Sequence, residues 1–134
     1  MQIIKNRFDL NVSSLSDPEW VVQYCLTRLS ELRIYSSGLR CIVIDGGFSG
    51  DIEWGVHRWD IHAEHDYGIS ARFQGYRFYV GPEETGLDKD IEGFIPDGQL
   101  KNLLMDLSSW YISKHPERRG EVYEALIDIG YMKK

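Results

Sequence analysis

The first strong pattern in the chain is an apolar stripe with helical spacing that begins after residue 17. Asp17, Pro18 and Glu19 stand in the order expected at a helix start, because aspartate caps, proline fits the first turn and an acid favours the positive end of the helix dipole. Apolar residues then recur every three or four positions, at Trp20, Val21, Tyr24, Cys25, Leu29 and Leu32. The spacing predicts an amphipathic helix of about four turns that fades near Gly38.

From residue 40 the period of the pattern changes from helical to alternating. Residues 41–44 form a short β-branched run that ends at Asp45, which predicts a buried strand followed by a glycine-rich turn over residues 46–50. Residues 51–63 alternate between two faces, and Gln74 and Gly75 join residues 67–73 to residues 76–80 as in a hairpin. Three or four antiparallel strands are expected, and residues 3–12 are a candidate for a further edge strand.

The last third of the chain returns to helical spacing after a polar stretch. Residues 81–98 hold acids and a single lysine among glycines and prolines, which predicts a long solvated loop. An apolar stripe over residues 100–112 predicts a second helix that Asp97 can cap, and residues 116–129 predict a third that ends at Gly130. The expected fold is one α+β domain over residues 1–134, with a single antiparallel sheet of three to five strands flanked by an N-terminal helix and two C-terminal helices.

Charge is distributed unevenly along the chain. The whole sequence carries 15 basic and 21 acidic residues, a net charge of −6. Residues 41–100 contain four basic and twelve acidic residues, a net charge of −8, whereas the two flanking segments each sum to +1. A protein with this balance is poorly suited to neutralising nucleic-acid phosphates, so the middle region is expected to meet a basic protein partner.

The sequence gives no sign of a membrane or secretory segment. No run approaches about 18 consecutive apolar residues, and the N-terminal residues lack the apolar stretch of a signal peptide, which favours a cytoplasmic protein without membrane contact. Cys25 and Cys41 have no CxxC partner and stand in apolar surroundings, so they are expected to be buried thiols rather than a disulfide or metal ligands.

Three of the four histidines lie close together beside carboxylates. His57, His62, His65 and Glu64 are of the residue types that bind zinc, manganese or iron. On a strand His57 and His62 would face opposite sides, because they are five residues apart, and only a bend would bring three ligands together. Surface histidines without metal or other cofactor are the preferred interpretation. The alternatives are a small metal-dependent enzyme that uses these four residues and a homo-oligomeric adaptor that pairs through a strand edge.

Other catalytic patterns are weak in this sequence. Neither cysteine has a neighbouring histidine, no Gly-x-Ser-x-Gly run occurs, and the many acids single out no catalytic pair. The glycine-rich residues 46–50 lack the lysine that a phosphate-binding loop needs. The sequence therefore predicts a binding protein rather than an enzyme.

Aromatic residues share the middle region with the acids. Aromatic side chains are favoured as anchors of protein interfaces, and an acidic rim around them would steer a basic partner. The candidate partner-binding residues are Asp51, Glu53, Trp59, Asp60, Glu64, Asp66, Glu83, Glu84, Asp88, Asp90 and Glu92.

Several short runs give the chain a resemblance to a known class of proteins. The runs are residues 64–69 (Glu-His-Asp-Tyr-Gly-Ile), Gly75 with Tyr76, residues 98–100 (Gly-Gln-Leu), Leu103 with Leu104, and Trp110. They are similar to a family of bacterial immunity proteins with a Glu-His-x-Tyr-Gly-Ile stretch, a Gly-Trp turn and a C-terminal leucine-rich helix. The resemblance implies a protein that neutralises a cognate polymorphic or contact-dependent toxin. Many such toxins are nucleases with basic clefts, which an acidic surface could fill.

Overall fold

The fold combines an antiparallel sheet with helices that precede and follow it. A computed structural model describes residues 18–51, 53–59 and 73–134. Helix α1 spans Pro18–Ser30, and helix α2 spans Tyr35–Arg40 and continues as a π-helical turn over Cys41–Asp45. The later elements are β1 (Gly47–Asp51), β2 (Trp54–Arg58), β3 (Tyr76–Val80), α3 (Pro82–Thr85), β4 (Ile91–Ile95), α4 (Asp97–Lys114), a 3-10 turn (Pro116–Arg118) and α5 (Arg119–Asp128).

The four strands form one sheet in the order β1-β2-β3-β4, and every neighbouring pair is antiparallel. With a helix before the sheet and helices after it, the structure confirms the predicted α+β architecture. Residues 54, 80 and 91 form the row of paired residues at one end of the sheet, and residues 58, 76 and 95 form the row at the other end. No helix within the described ranges is both long and apolar enough to cross a membrane.

One face of the sheet builds the hydrophobic core with α1 and α4. Because side chains alternate along a strand, Trp54, Val56, Phe78 and Val80 point to this face, and all four are buried. The predicted stripes of α1 and α4 lie in the same core cluster, which confirms both helices. The predicted end of the first helix near Gly38 is wrong, because α1 ends at Ser30 and Gly38 is a buried residue of α2. The buried residues of these helices are Val21, Val22, Cys25, Leu26 and Leu29 in α1 and Leu100, Leu103, Leu104, Leu107 and Tyr111 in α4.

The two cysteines differ in burial. Cys25 is fully buried, and its thiol lies 3.5 Å from the Tyr79 carbonyl oxygen, to which it donates. Burial raises the pKa of the Cys25 thiol well above its usual range, so the group is neutral in the folded protein. Both cysteines are free thiols, as expected, but the expected burial of Cys41 is wrong, because this residue is only half-buried.

The predicted strand over residues 41–44 is wrong, because the helix runs through it. Tyr35, Gly38, Leu39 and Ile42 are all buried, at spacings of three, one and three residues, so Ile42 continues the helical stripe of α2. The helical turn ends at Gly46, whose φ of 88° lies in the left-handed region that favours glycine. Packing of this stripe outweighs the β propensity of the β-branched run.

Three further predictions are wrong: a turn, a loop and a helix cap. The predicted turn over residues 46–50 is largely strand β1, which pairs with β2. The predicted loop over residues 81–98 contains α3 and β4, because β4 completes the sheet beside β3. Asp97 is the first residue of α4 rather than its cap, and its side chain forms no capping hydrogen bond. The predicted hairpin of residues 67–73 with residues 76–80 is also wrong, because β3 pairs with β2 on one edge and with β4 on the other. The predicted cap at Asp17, the predicted strand over 3–12 and residues 67–72 lie outside the described residues.

Candidate functional site

Acidic side chains meet at one end of the sheet. Glu53 precedes Trp54, and Asp90 precedes Ile91, so both lie just beyond the last row of paired residues at this end. Helix α3 follows β3 at the same end and brings further acids with it. We call this surface the acidic end and define it by Glu53, Glu83, Glu84, Asp88, Asp90 and Glu92.

Glu53 links the turn between β1 and β2 to the start of α3. Its carbonyl oxygen accepts a hydrogen bond from the Gly81 N–H at 2.6 Å, and its carboxylate Oε2 accepts one from the Glu83 N–H at 3.0 Å. A Cβ at Gly81 would lie 2.4 Å from Glu53 Oε2 and 3.4 Å from Asp90 Oδ1. The missing side chain at this position therefore allows the two carboxylates to approach the same backbone.

A buried arginine lies behind the acids. The side chain of Arg77 is 2% exposed, and its Nε donates to Glu92 while its Nη2 donates to Asp90 Oδ2 at 3.3 Å. The two carboxylates remain 39% and 42% exposed, respectively. The guanidinium also stacks over the Tyr79 ring at 4.7 Å. Arg77 thus fixes the positions of two carboxylates that still reach solvent.

His57 completes the contacts of Arg77. The His57 Nδ1 lies 3.0 Å from the Arg58 carbonyl oxygen, which can only accept, so Nδ1 carries the hydrogen. Nε2 then accepts from Arg77 Nη1 at 3.1 Å. His57 is the only one of the four residues of the metal-enzyme alternative within the described ranges, where no three His, Cys, Asp or Glu side chains group as a metal site.

Helix α1 reaches the acidic end through a tyrosine. The Tyr24 hydroxyl donates to Glu84 Oε2 at 2.6 Å. Burial, followed by this hydrogen bond, raises the pKa of Tyr24 well above its usual range, so the hydroxyl remains a donor at neutral pH. The contact joins α1 and α3, two elements that are 60 residues apart at this point of the sequence.

An exposed apolar side chain accompanies the acids. Leu87 is 42% exposed between α3 and β4, directly before Asp88. Phe94 is 48% exposed and points to the same face of the sheet as Glu92, opposite the core. Its row lies next to the other end of the sheet, where its ring packs against Phe73 with centroids 5.2 Å apart. Tyr79 shares that face but is buried.

The structure brings six of the eleven predicted partner-binding residues together and leaves Trp59 elsewhere. Trp59 follows Arg58, which belongs to the last row of paired residues at the other end of the sheet. This end lies roughly 13 Å along the strand from the acidic end. It lines a cavity of about 600 Å³ with Phe73 and Pro96. The backbone of Asp51 pairs with Trp54. The remaining three, Asp60, Glu64 and Asp66, lie outside the described residues.

Sequence reasoning missed two residues of this surface. Arg77 stands between Tyr76 and Phe78 in an otherwise apolar strand, a position at which a charged side chain needs buried partners. The position of Arg77 in the sequence was therefore sufficient to predict a buried arginine paired with acids. Leu87 is a single apolar residue in a polar stretch, and only its 42% exposure marks it as a contact residue.

The acidic end carries an excess of negative charge in a mixed polar and apolar surface. Its six carboxylates are accompanied by the buried Arg77 and the exposed Lys89. Such an arrangement suits the binding of cationic groups. No family model matches the sequence, and comparisons with curated proteins and solved structures give no significant match. The function proposed below therefore depends on the chain's own geometry and on the resemblance described above.

Proposed function

We propose that this protein is a cytoplasmic immunity protein that binds and neutralises a basic protein toxin through the acidic end of its sheet. The observation that carries the proposal is the meeting of six carboxylates from three segments of the chain at one end of the fold. The resemblance of residues 64–69 and of the leucine-rich helix to an immunity-protein family supports the same role.

The proposed mechanism is electrostatic and steric. A cleft that binds nucleic acid carries lysine and arginine side chains for the phosphates, and carboxylates can take the place of those phosphates. Opposite charge also speeds the encounter of the two proteins, most strongly at low salt. Inhibition then follows from occupation of the cleft and requires no chemistry from this chain.

Two further features support a protein partner. Leu87 provides exposed apolar contact area beside the charges. Arg77 holds Asp90 and Glu92 in place, and the Glu83 N–H holds Glu53, so these carboxylates lose little conformational freedom on binding. A surface with both features is suited to a specific protein complex rather than to nonspecific electrostatic binding.

The test is a double charge reversal, Glu83→Lys with Asp88→Lys. Both residues are exposed, and neither carboxylate forms a hydrogen bond or ion pair with another described residue, so the fold should be unaffected. The proposal predicts that a basic toxin domain is encoded beside this protein. Its association with the purified chain is followed by surface plasmon resonance in 50 mM and 300 mM salt. We expect association at low salt to slow about tenfold or more, with a smaller effect at high salt.

A matched control separates the site from net charge. Asp106→Lys with Glu124→Lys changes the charge by the same amount on α4 and α5, where both side chains are exposed. We expect the control to slow association less than threefold. Equal effects of the two double variants, or unchanged association in both, would contradict the proposed site.

A further inference from the structure

A second charged surface lies where α1 and α4 end. A cavity of about 450 Å³ opens there, lined by Arg33, Trp110, Lys114 and Arg118 among others. These residues come from the segment after α1, from the last turns of α4 and from the 3-10 turn before α5. None of the carboxylates of the acidic end lines it.

The charge of this cavity opposes that of the whole chain. Three basic side chains and His115 line it with a single acid, Glu31, in a protein of net charge −6. Two further acids, Glu117 and Glu121, lie outside the lining but close enough to act on the charge of Arg118. Lys114 at the end of α4 is explained by the helix dipole, which favours cations near a helix C-terminus. That reason does not extend to Arg33 and Arg118, which belong to other segments.

Two hydrogen bonds from Nη1 fix the position of the Arg118 guanidinium. Its Nη1 donates to the Arg33 carbonyl oxygen and to the Tyr111 hydroxyl, both at 3.0 Å. Tyr111 is buried and stacks on Tyr35 with ring centroids 4.2 Å apart, so this anchor is rigid. The Nε and Nη2 groups of Arg118 donate no hydrogen bond to a described residue, although Glu117 and Glu121 act on the guanidinium charge from nearby. A guanidinium edge of this kind binds phosphate oxygens in a bidentate manner.

The other lining groups complete a binding site. The Arg33 side chain forms no hydrogen bond or ion pair with the part of the chain that the structure describes. The Lys114 ammonium lies 5.9 Å from the centre of the Trp110 ring, which is half-buried at the cavity. The cavity volume falls in the range of small-molecule sites, and an indole can stack against a flat ring.

We propose that this cavity binds a small organic phosphate monoester, with the phosphate on Arg118, Arg33 and Lys114 and a planar group on Trp110. This binding goes beyond the proposed toxin neutralisation and does not depend on it, because no protein partner takes part. A nucleoside monophosphate has the required chemistry.

The test is calorimetric titration of the purified chain with adenosine 5′-monophosphate, inorganic phosphate and adenosine. We expect the monophosphate to bind at least about tenfold more tightly than either part alone, because it uses both the cations and the indole. Equal affinity for inorganic phosphate would overturn the role of Trp110. No binding of the monophosphate at 5 mM in 50 mM salt, roughly five times a 1 mM dissociation constant, would overturn the site.

Neighbouring arginines provide a matched control. Arg33→Gln and Lys114→Gln each remove a cation that has no hydrogen bond to lose, so each should weaken binding about fivefold. The melting temperature should stay unchanged in Arg33→Gln and fall by only a few degrees in Lys114→Gln, which loses the favourable position at the helix C-terminus and the contact with Trp110. Arg119→Gln makes the same charge change beside Arg118, but Arg119 lines a different cavity, between α4 and α5. It should weaken binding less than twofold. Equal losses in all three variants would show unspecific attraction and would overturn the proposal.

Discussion

Replacement of Arg77 by methionine tests whether its buried charge stabilises the fold. The change keeps an unbranched side chain of similar length and removes the guanidinium, which is 2% exposed. Three hydrogen-bonded contacts are lost, to Glu92, Asp90 and His57, together with the stacking on Tyr79. The expected result is a clear loss of stability rather than unfolding.

The magnitude follows from the exposure of the partners. Removing one member of a buried ion pair costs about 3–5 kcal/mol when the other charge stays buried. Asp90 and Glu92 are about 40% exposed, so water can solvate them and the cost falls toward the lower end. The lost donor to His57 adds about 1 kcal/mol, and burial of the methionine side chain offsets a similar amount. We expect the free energy of unfolding to fall by about 3 kcal/mol.

Urea denaturation followed by tryptophan fluorescence measures this change. With a slope of about 1.5 kcal/mol per molar urea, the midpoint should fall by about 2 M. Arg58→Met is the matched control, because Arg58 also pairs with a carboxylate (Asp97, 3.7 Å) and lies over a ring (Tyr76, 5.6 Å), but it is 52% exposed. Its cost should stay below about 1 kcal/mol. Equal midpoints for the two variants would refute the reasoning from burial.

Two further predictions concern packing and thiol reactivity. A Cβ at Gly55 would lie 2.8 Å from the Tyr79 hydroxyl and 2.9 Å from the Phe48 carbonyl oxygen. Because both contacts are too close, Gly55→Ala should lower the free energy of unfolding by about 2 kcal/mol in the same urea assay. An unchanged urea midpoint would contradict this prediction. Burial raises the pKa of both thiols, and Asp45 adds to the effect at Cys41, so exposure decides which thiol reacts. Native protein treated with iodoacetamide at pH 8 should take up one label by mass spectrometry, at the half-buried Cys41, because the fully buried Cys25 is closed to the reagent; equal labelling rates would contradict it.

The fold was predictable where periodicity and burial agree. The stripes of α1 and α4 and the alternation in β2 and β3 recur in the structure because each element packs one face on the same core. Prediction failed at residues 41–45, where the apolar run fits either a strand or a helix and only the packing of Ile42 with α2 decides. It failed again at residues 91–95, where pairing with β3 makes a strand of a segment whose composition resembles a loop.

By itself, the sequence determined the fold class, the helices at both ends and the concentration of acids in the middle region. These properties depend on local spacing and on counts of residues, which need no knowledge of long-range contacts. The tertiary structure alone decided which acids share a surface, that Arg77 is buried behind two of them, and that Trp59 lies at the other end of the sheet. Those relations are set by strand register, which joins residues distant in the sequence.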